Sequence, residues 1–242
     1  MRRTQFLASA ASAALLLAIT ATSATAATPP ATTSASPSST ATSATLQVVK
    51  HSNKVSGFTK FSYQTGKVRG INEAAAARIN RVIAENVNST MLAAKKSKNS
   101  KCPMGLKDCG YYIQTLKAPT CQTGNVCITA PASLLPVGAN TGDSWVDAWV
   151  FDSTTGATKQ LQEFVSTNQE AAFLAAVNAG ITAQLTKGGI TNDPLWTPNV
   201  KMKDVYSWIP TPDGIHISFS KYDVAPGSFG VVSVLVPWSA IK

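Results

Sequence analysis

Residues 213–238 read DGIHISFSKYDVAPGSFGVVSVLVPW. The stretch holds one of the two histidines in the chain, a tyrosine, two aspartates and a serine in a glycine-flanked turn. It can be a catalytic constellation or a hairpin with polar side chains, and alternation decides between them. Over Ile215–Asp223, Ile215, Ile217 and Phe219 face one way, while His216, Ser218, Ser220 and Tyr222 face the other. Thr211-Pro212-Asp213-Gly214 supplies turn chemistry before the strand, and Ala225–Gly230 supplies it after. Val231–Pro237 is apolar at nearly every position and is expected to be a strand buried on both faces. A nucleophile elbow needs glycine two residues before the serine, and Pro226 stands there ahead of Ser228. Asp213 belongs to the turn and Asp223 to the hairpin edge. The stretch is a hairpin first, with His216 on its polar face.

Upstream, Thr167-Asn168-Gln169-Glu170 reads as a capping box. It opens a helix with Phe173, Leu174, Val177, Ile181 and Leu185 on one face, and Gly188-Gly189 ends it. A short helical turn at Gln160–Val165 precedes it, and a loop at Asp193–Met202 leads to a strand at Val205–Ile209. An earlier helix follows Asn72, its expected N-cap, with Ile71, Ala75, Ile79, Val82, Ile83, Val87 and Met91 on one stripe. Leu46–His51, Phe58–Gln64, Tyr111–Lys117, Val126–Ala130 and Ser144–Phe151 have strand character. Ser144–Phe151 is largely apolar on both faces, as in a covered central strand. The class is α+β: a twisted, mostly antiparallel sheet packed against two main helices.

The first residues carry Arg2 and Arg3, an apolar run from Phe6 to Ile19 and a small-x-small site at Ala24-Thr25-Ala26. Residues 1–26 therefore read as a secretory signal cleaved near Ala26, too short and alanine-rich to span a membrane. Residues 27–45 are almost wholly Ala, Thr, Ser and Pro, the composition of a flexible spacer. Residues 46–242 form the folded unit, with halves at 46–117 and 118–242. The expected localisation is extracellular, with no transmembrane helix in the mature chain.

Cys102, Cys109, Cys121 and Cys127 lie in one short window. In an exported chain an even count points to disulfides. Their spacing does not fit zinc knuckles, and no histidine is near. Cys121 and Cys127 flank a Thr-Gly-Asn loop that brings their β-carbons together, and Cys102–Cys109 then pair by default. No metal or cofactor is expected.

Charge is lopsided: residues 50–107 hold twelve Lys/Arg against two Glu, whereas residues 108–242 hold seven Lys and ten Asp/Glu. A basic surface on an exported protein suits an anionic polymer or lipid headgroup, or else a solvated surface. Lys95, Lys96, Lys98 and Lys101 are the candidate anion contacts. Nucleic acid is not among the expected partners. The sequence has no H-E-x-x-H or G-x-S-x-G motif, so no catalytic residue is assigned.

DGIHISFSKYDVAPGSFG followed by VPWSAI resembles the C-terminal fingerprint of the domain of unknown function in the RsiV ectodomain. Related domains precede the catalytic part of the peptidoglycan deacetylase PdaC and occur in the mycobacterial secreted immunogenic proteins. Gly214, Phe219, Tyr222, Ala225, Pro226, Gly230 and Pro237 carry the resemblance. FDSTTGATKQLQEFV at 151–165 and VRGINEAAAARINRVI at 68–83 agree with further segments of that unit. RsiV has a sigma-binding segment and a membrane helix ahead of the unit, and PdaC a catalytic domain after it. Here a signal and a spacer precede it and the sequence stops at Lys242, so the resemblance implies a free-standing secreted member that binds rather than catalyses. The expected ligand is an anionic wall or surface molecule or a host protein. The alternatives are a lysozyme-binding sensor or inhibitor and a wall-polymer hydrolase.

Overall fold

β1 (Thr45–Asn53) and β2 (Lys60–Arg69) pair antiparallel along their length and open the fold as a hairpin whose outer strand, β1, is largely exposed. The computed structural model describes residues 44–55, 57–96, 109–138, 141–191 and 193–241, the side chains of residues 91 and 93–96 excepted. All of these fall in one compact unit, residues 41–242. The signal, nearly all of the spacer, Lys98, Lys101 and Cys102 lie outside the described residues, as do the side chains of Lys95 and Lys96.

α1 (Glu73–Lys96) starts at the expected cap: Asn72 Oδ1 accepts from the backbone N–H groups of Ala74 at 2.9 Å and Ala75 at 3.3 Å. Its stripe buries Ala75, Ile79, Ile83 and Val87, with Ile71 and Val82 half-buried beside them. Asn80 acts as a substitute strand partner, accepting from Val68 N–H at 2.7 Å and donating to Val68 C=O at 3.3 Å. α1 is the crossover that lets β3 (Tyr111–Gln114) lie parallel to β2, a connection no tight turn could make.

β4 (Asn125–Leu135) and β5 (Asp143–Asp152) complete a five-stranded sheet in the order β1-β2-β3-β4-β5, antiparallel except at β2–β3. β4 runs past the expected end at Ala130 and through Pro131. Pro131 C=O accepts from Thr115 N–H at 3.0 Å, so the missing proline N–H faces the chain just beyond the end of β3. β5 is last in the order rather than central. Its partial cover comes from the second sheet, and just beyond that sheet's middle strand Lys221 N–H donates to Ser144 C=O at 2.9 Å.

α2 (Glu170–Lys187) buries Phe173, Val177, Ile181 and Leu185 against a second sheet of β6 (Trp208–Thr211), β7 (Gly214–Phe219) and β8 (Val232–Pro237). The capping box sits one residue earlier than expected. Ser166 N–H donates to Gln169 Oε1 at 3.1 Å, and a single turn of 3₁₀ helix over Thr167–Gln169 separates it from α2. At the far end Ile190 N–H bonds Leu185 C=O at 2.9 Å and Gly189 N–H bonds Thr186 C=O at 3.0 Å, a Schellman motif. Gly189 supplies its positive φ, 82°.

The third strand of the hairpin stretch departs from expectation. In β8, Val232, Val234 and Val236 are buried, but Ser233, Leu235 and Pro237 are exposed. α2 covers one face of β8, and nothing among the described residues covers the other. The β6 strand also begins at Trp208 rather than Val205, and β7 ends at Phe219 rather than Asp223. The class is α+β with two main helices and mostly antiparallel pairing, divided between two sheets. Among the described residues no helix is long and apolar enough to cross a membrane.

Candidate functional site

Six of the seven fingerprint residues have structural explanations. A Cβ on Gly214 would lie 2.1 Å from Val236 O, so β7 and β8 approach there only because residue 214 has no side chain. Pro237 is the cross-strand partner of Gly214. Phe219 and Ala225 are buried in the α2 core. Pro226 opens a 3₁₀ turn at Gly227–Phe229, which Gly230 leaves with φ 65°. Tyr222 is different. It is exposed, and with φ 71° it is the one non-glycine residue of positive φ among the described residues. For a bulky residue that backbone is strained by about 1–2 kcal/mol.

The turn that holds Tyr222 is tied from all sides. Asp223 N–H donates to Ser220 C=O at 3.0 Å, and Ser220 N–H donates back to Asp223 Oδ2 at 2.8 Å. Turns of this kind with φ > 0 at the third position normally place glycine there. The Tyr206 hydroxyl donates to Asp223 Oδ2 and lies 2.9 Å from Ser220 Oγ. Burial, then the bond to Asp223, pushes the Tyr206 phenol up to about 12. At neutral pH it is a fixed donor and not a base. Buried Lys221 reaches under the turn, its ammonium donating to Thr141 Oγ1 and Gly142 C=O. The ammonium sits 4.9 Å from the Tyr222 ring centroid, a cation–π distance. Among the described residues the ion pairs are those of Lys159 with Asp152 and Glu163, so Lys221 is held by neutral oxygens and an aromatic face. Such a group can bind and orient a ligand. It presents no activated nucleophile.

Tyr206 carries no local signal, because its partner Asp223 is seventeen residues away. His216 is exposed on β7 between Ile209 and Leu235, consistent with the polar strand face.

The β1–β2 hairpin is a second surface. Lys50, Lys54, Lys60, Lys67 and Arg69 are all exposed on it, and residues 44–72 contain no acidic side chain. An open cleft of about 520 Å³ lies at its turn, lined by Ser52, Asn53, Lys54, Val55, Phe58, Thr59 and Lys60. Its wall is braced. The His51 ring stacks on Tyr63 at 4.9 Å, His51 Nε2 is 2.7 Å from Thr65 Oγ1, and Asn53 Nδ2 donates to the Tyr63 hydroxyl at 3.1 Å. The lysines expected to contact anions, Lys95, Lys96, Lys98 and Lys101, lie outside the described side chains.

Cys121 and Cys127 are bonded, with Cα atoms 5.7 Å apart. Their loop is tightened by Asn125 N–H to Gln122 C=O at 3.1 Å and by Gly124 at φ 83°. Cys121 itself lies before β4 rather than in a strand. Cys109 is buried and disulfide-bonded; its expected partner Cys102 is outside the described residues.

Solved structures share this fold, among them the following two. A DUF3298 family protein from Pseudomonas aeruginosa has a TM-score of 0.56 and 14% identity, over 83% of this chain and 92% of its own. A member of the same family from Bacteroides fragilis has a TM-score of 0.57 and 11% identity, over 82% of this chain and 91% of its own. At these identities the likeness concerns the fold. No curated protein matches the sequence. Residues 160–239, which include α2 and the three-stranded sheet, match the family described as Protein of unknown function (DUF3298), and over that segment the chain carries a DUF3298 domain.

Proposed function

We propose that the protein is an exported, non-enzymatic binding domain of the cell envelope or exterior, and that the β1–β2 hairpin holds an anionic wall or surface polymer. One observation carries the reading: five exposed cations lie along a hairpin with no acidic residue across 44–72, and two of them, Lys54 and Lys60, line the cleft at its turn. Clustered cations of one sign attract polyanions and repel basic proteins. The signal-like N-terminus, the disulfide and the likeness of the C-terminal fingerprint to the RsiV ectodomain support an extracellular role in binding.

The test is a titration of the mature protein against poly(glycerol phosphate) and against lysozyme at two salt concentrations. Polymer binding is expected, weakening steeply with salt, because the Debye length falls from about 10 Å at 0.1 M to about 3 Å at 1 M. Lys54→Gln with Lys60→Gln should weaken it further. Tight, salt-insensitive binding of lysozyme with no polymer binding would put the sensor or inhibitor function in its place.

A further inference from the structure

Tyr222 spends backbone strain without gaining burial: its φ is 71°, yet the residue is 56% exposed. The surroundings hold the ring in place. A Cβ on Gly227 would come within 2.4 Å of the Tyr222 ring, so glycine there makes room for it. The Lys221 ammonium, itself buried, fixes the ring from 4.9 Å. The result is an aromatic platform rather than a freely swinging side chain.

Beside it stands a carboxylate with an open atom. Asp223 Oδ2 is occupied by the Tyr206 hydroxyl and Ser220 N–H, while Oδ1 has no hydrogen-bond partner among the described residues. A second phenol, Tyr206, whose hydroxyl bonds that carboxylate, is 40% exposed. The ammonium of this cluster is buried under it and offers nothing to an anion. A ligand for this turn therefore needs an apolar face to lie on a ring, hydroxyl donors for a carboxylate, and no negative charge. A pyranose has both: its C–H face meets the positive demand of an aromatic π-surface, and its hydroxyls donate.

We propose that the Ser220–Asp223 turn is a binding site for an uncharged saccharide, with Tyr222 as the stacking platform and Asp223 Oδ1 as the hydroxyl acceptor. The site is separate from the basic hairpin and does not depend on it.

The experiment titrates the mature protein with cellohexaose and with chitohexaose at millimolar concentrations, following tyrosine fluorescence and amide NMR shifts. Wild-type protein is expected to bind at least one, with shifts at residues 220–223. Tyr222→Gly removes the platform while relieving the backbone, so its melting temperature should match or exceed wild type while saccharide affinity falls about tenfold or more. Tyr222→Phe keeps the ring and should bind within about threefold of wild type. Lys54→Gln with Lys60→Gln should leave saccharide binding unchanged. The proposal is overturned if neither oligosaccharide shifts the signals, or if a folded Tyr222→Gly binds as well as wild type. A protein partner lost in Tyr222→Gly, with no saccharide bound, would reassign the turn to protein recognition.

Discussion

Gly156 offers a sharp test of how the 152–156 turn docks on α1. It adopts φ +70°, and a Cβ built there would lie 2.4 Å from Ala75 O and 2.8 Å from Ala75 Cα. Both contacts are to helix backbone, which cannot rotate away. Arg78 Nη1 donates to Thr155 C=O at 3.3 Å, so the turn and helix are already in register. Gly156→Ala therefore adds two costs. The left-handed backbone costs about 1–2 kcal/mol for a residue with a Cβ. Overpacking against a rigid neighbour costs about 1–3 kcal/mol more. The total is about 2–5 kcal/mol, a fall in melting temperature of roughly 5–15 °C for a unit of this size. Gly124 is the control. It has φ +83°, but nothing lies within 4 Å of its built Cβ. Gly124→Ala should show the backbone cost alone, about 1–2 kcal/mol. The assay is thermal and urea denaturation of both variants, followed by circular dichroism. Equal losses in the two, or a smaller loss at 156, would refute the packing argument and with it the docking of this turn on α1.

Phe219 is 1% exposed, so Phe219→Ala should cost about 3–5 kcal/mol in urea unfolding, whereas exposed His216→Ala should change stability by less than about 0.5 kcal/mol. Replacing Cys121 and Cys127 together by serine opens a short loop and should cost about 2 kcal/mol in the loop-entropy account, measured against the oxidised protein. Asp152 accepts from Thr155 N–H, Thr155 Oγ1 and Thr154 N–H, and the Thr155 bonds foremost hold its carboxyl below the usual range. Because its folded pKa lies below the unfolded value of about 3.9, its contribution is full above that pH and is lost as pH falls through the folded value. Stability of wild type minus Asp152→Asn, followed from pH 7 down to the acid limit of folding, should accordingly shrink only below about pH 4; a constant difference would show that the carboxylate charge is irrelevant to the turn.

What the sequence determined by itself was local. The 3.6-residue recurrence of Phe173, Val177, Ile181 and Leu185 marks the buried face of α2, and Asn72 marks the start of α1, because helix periodicity and capping involve residues a few positions apart. The alternation of Ile215, Ile217 and Phe219 likewise marks the inner face of β7. Local pattern could not tell that β8, apolar on both sides, has only one face covered, since cover is supplied by α2 and depends on how the two layers meet. Nor could it join Lys221 to Thr141 across eighty positions, or Tyr206 to Asp223 across seventeen. The first contact exists only once the β4–β5 turn and the second sheet stand side by side, the second only once the segment before β6 meets the turn after β7. That long-range register also holds Tyr222 in a backbone conformation that its own side chain disfavours.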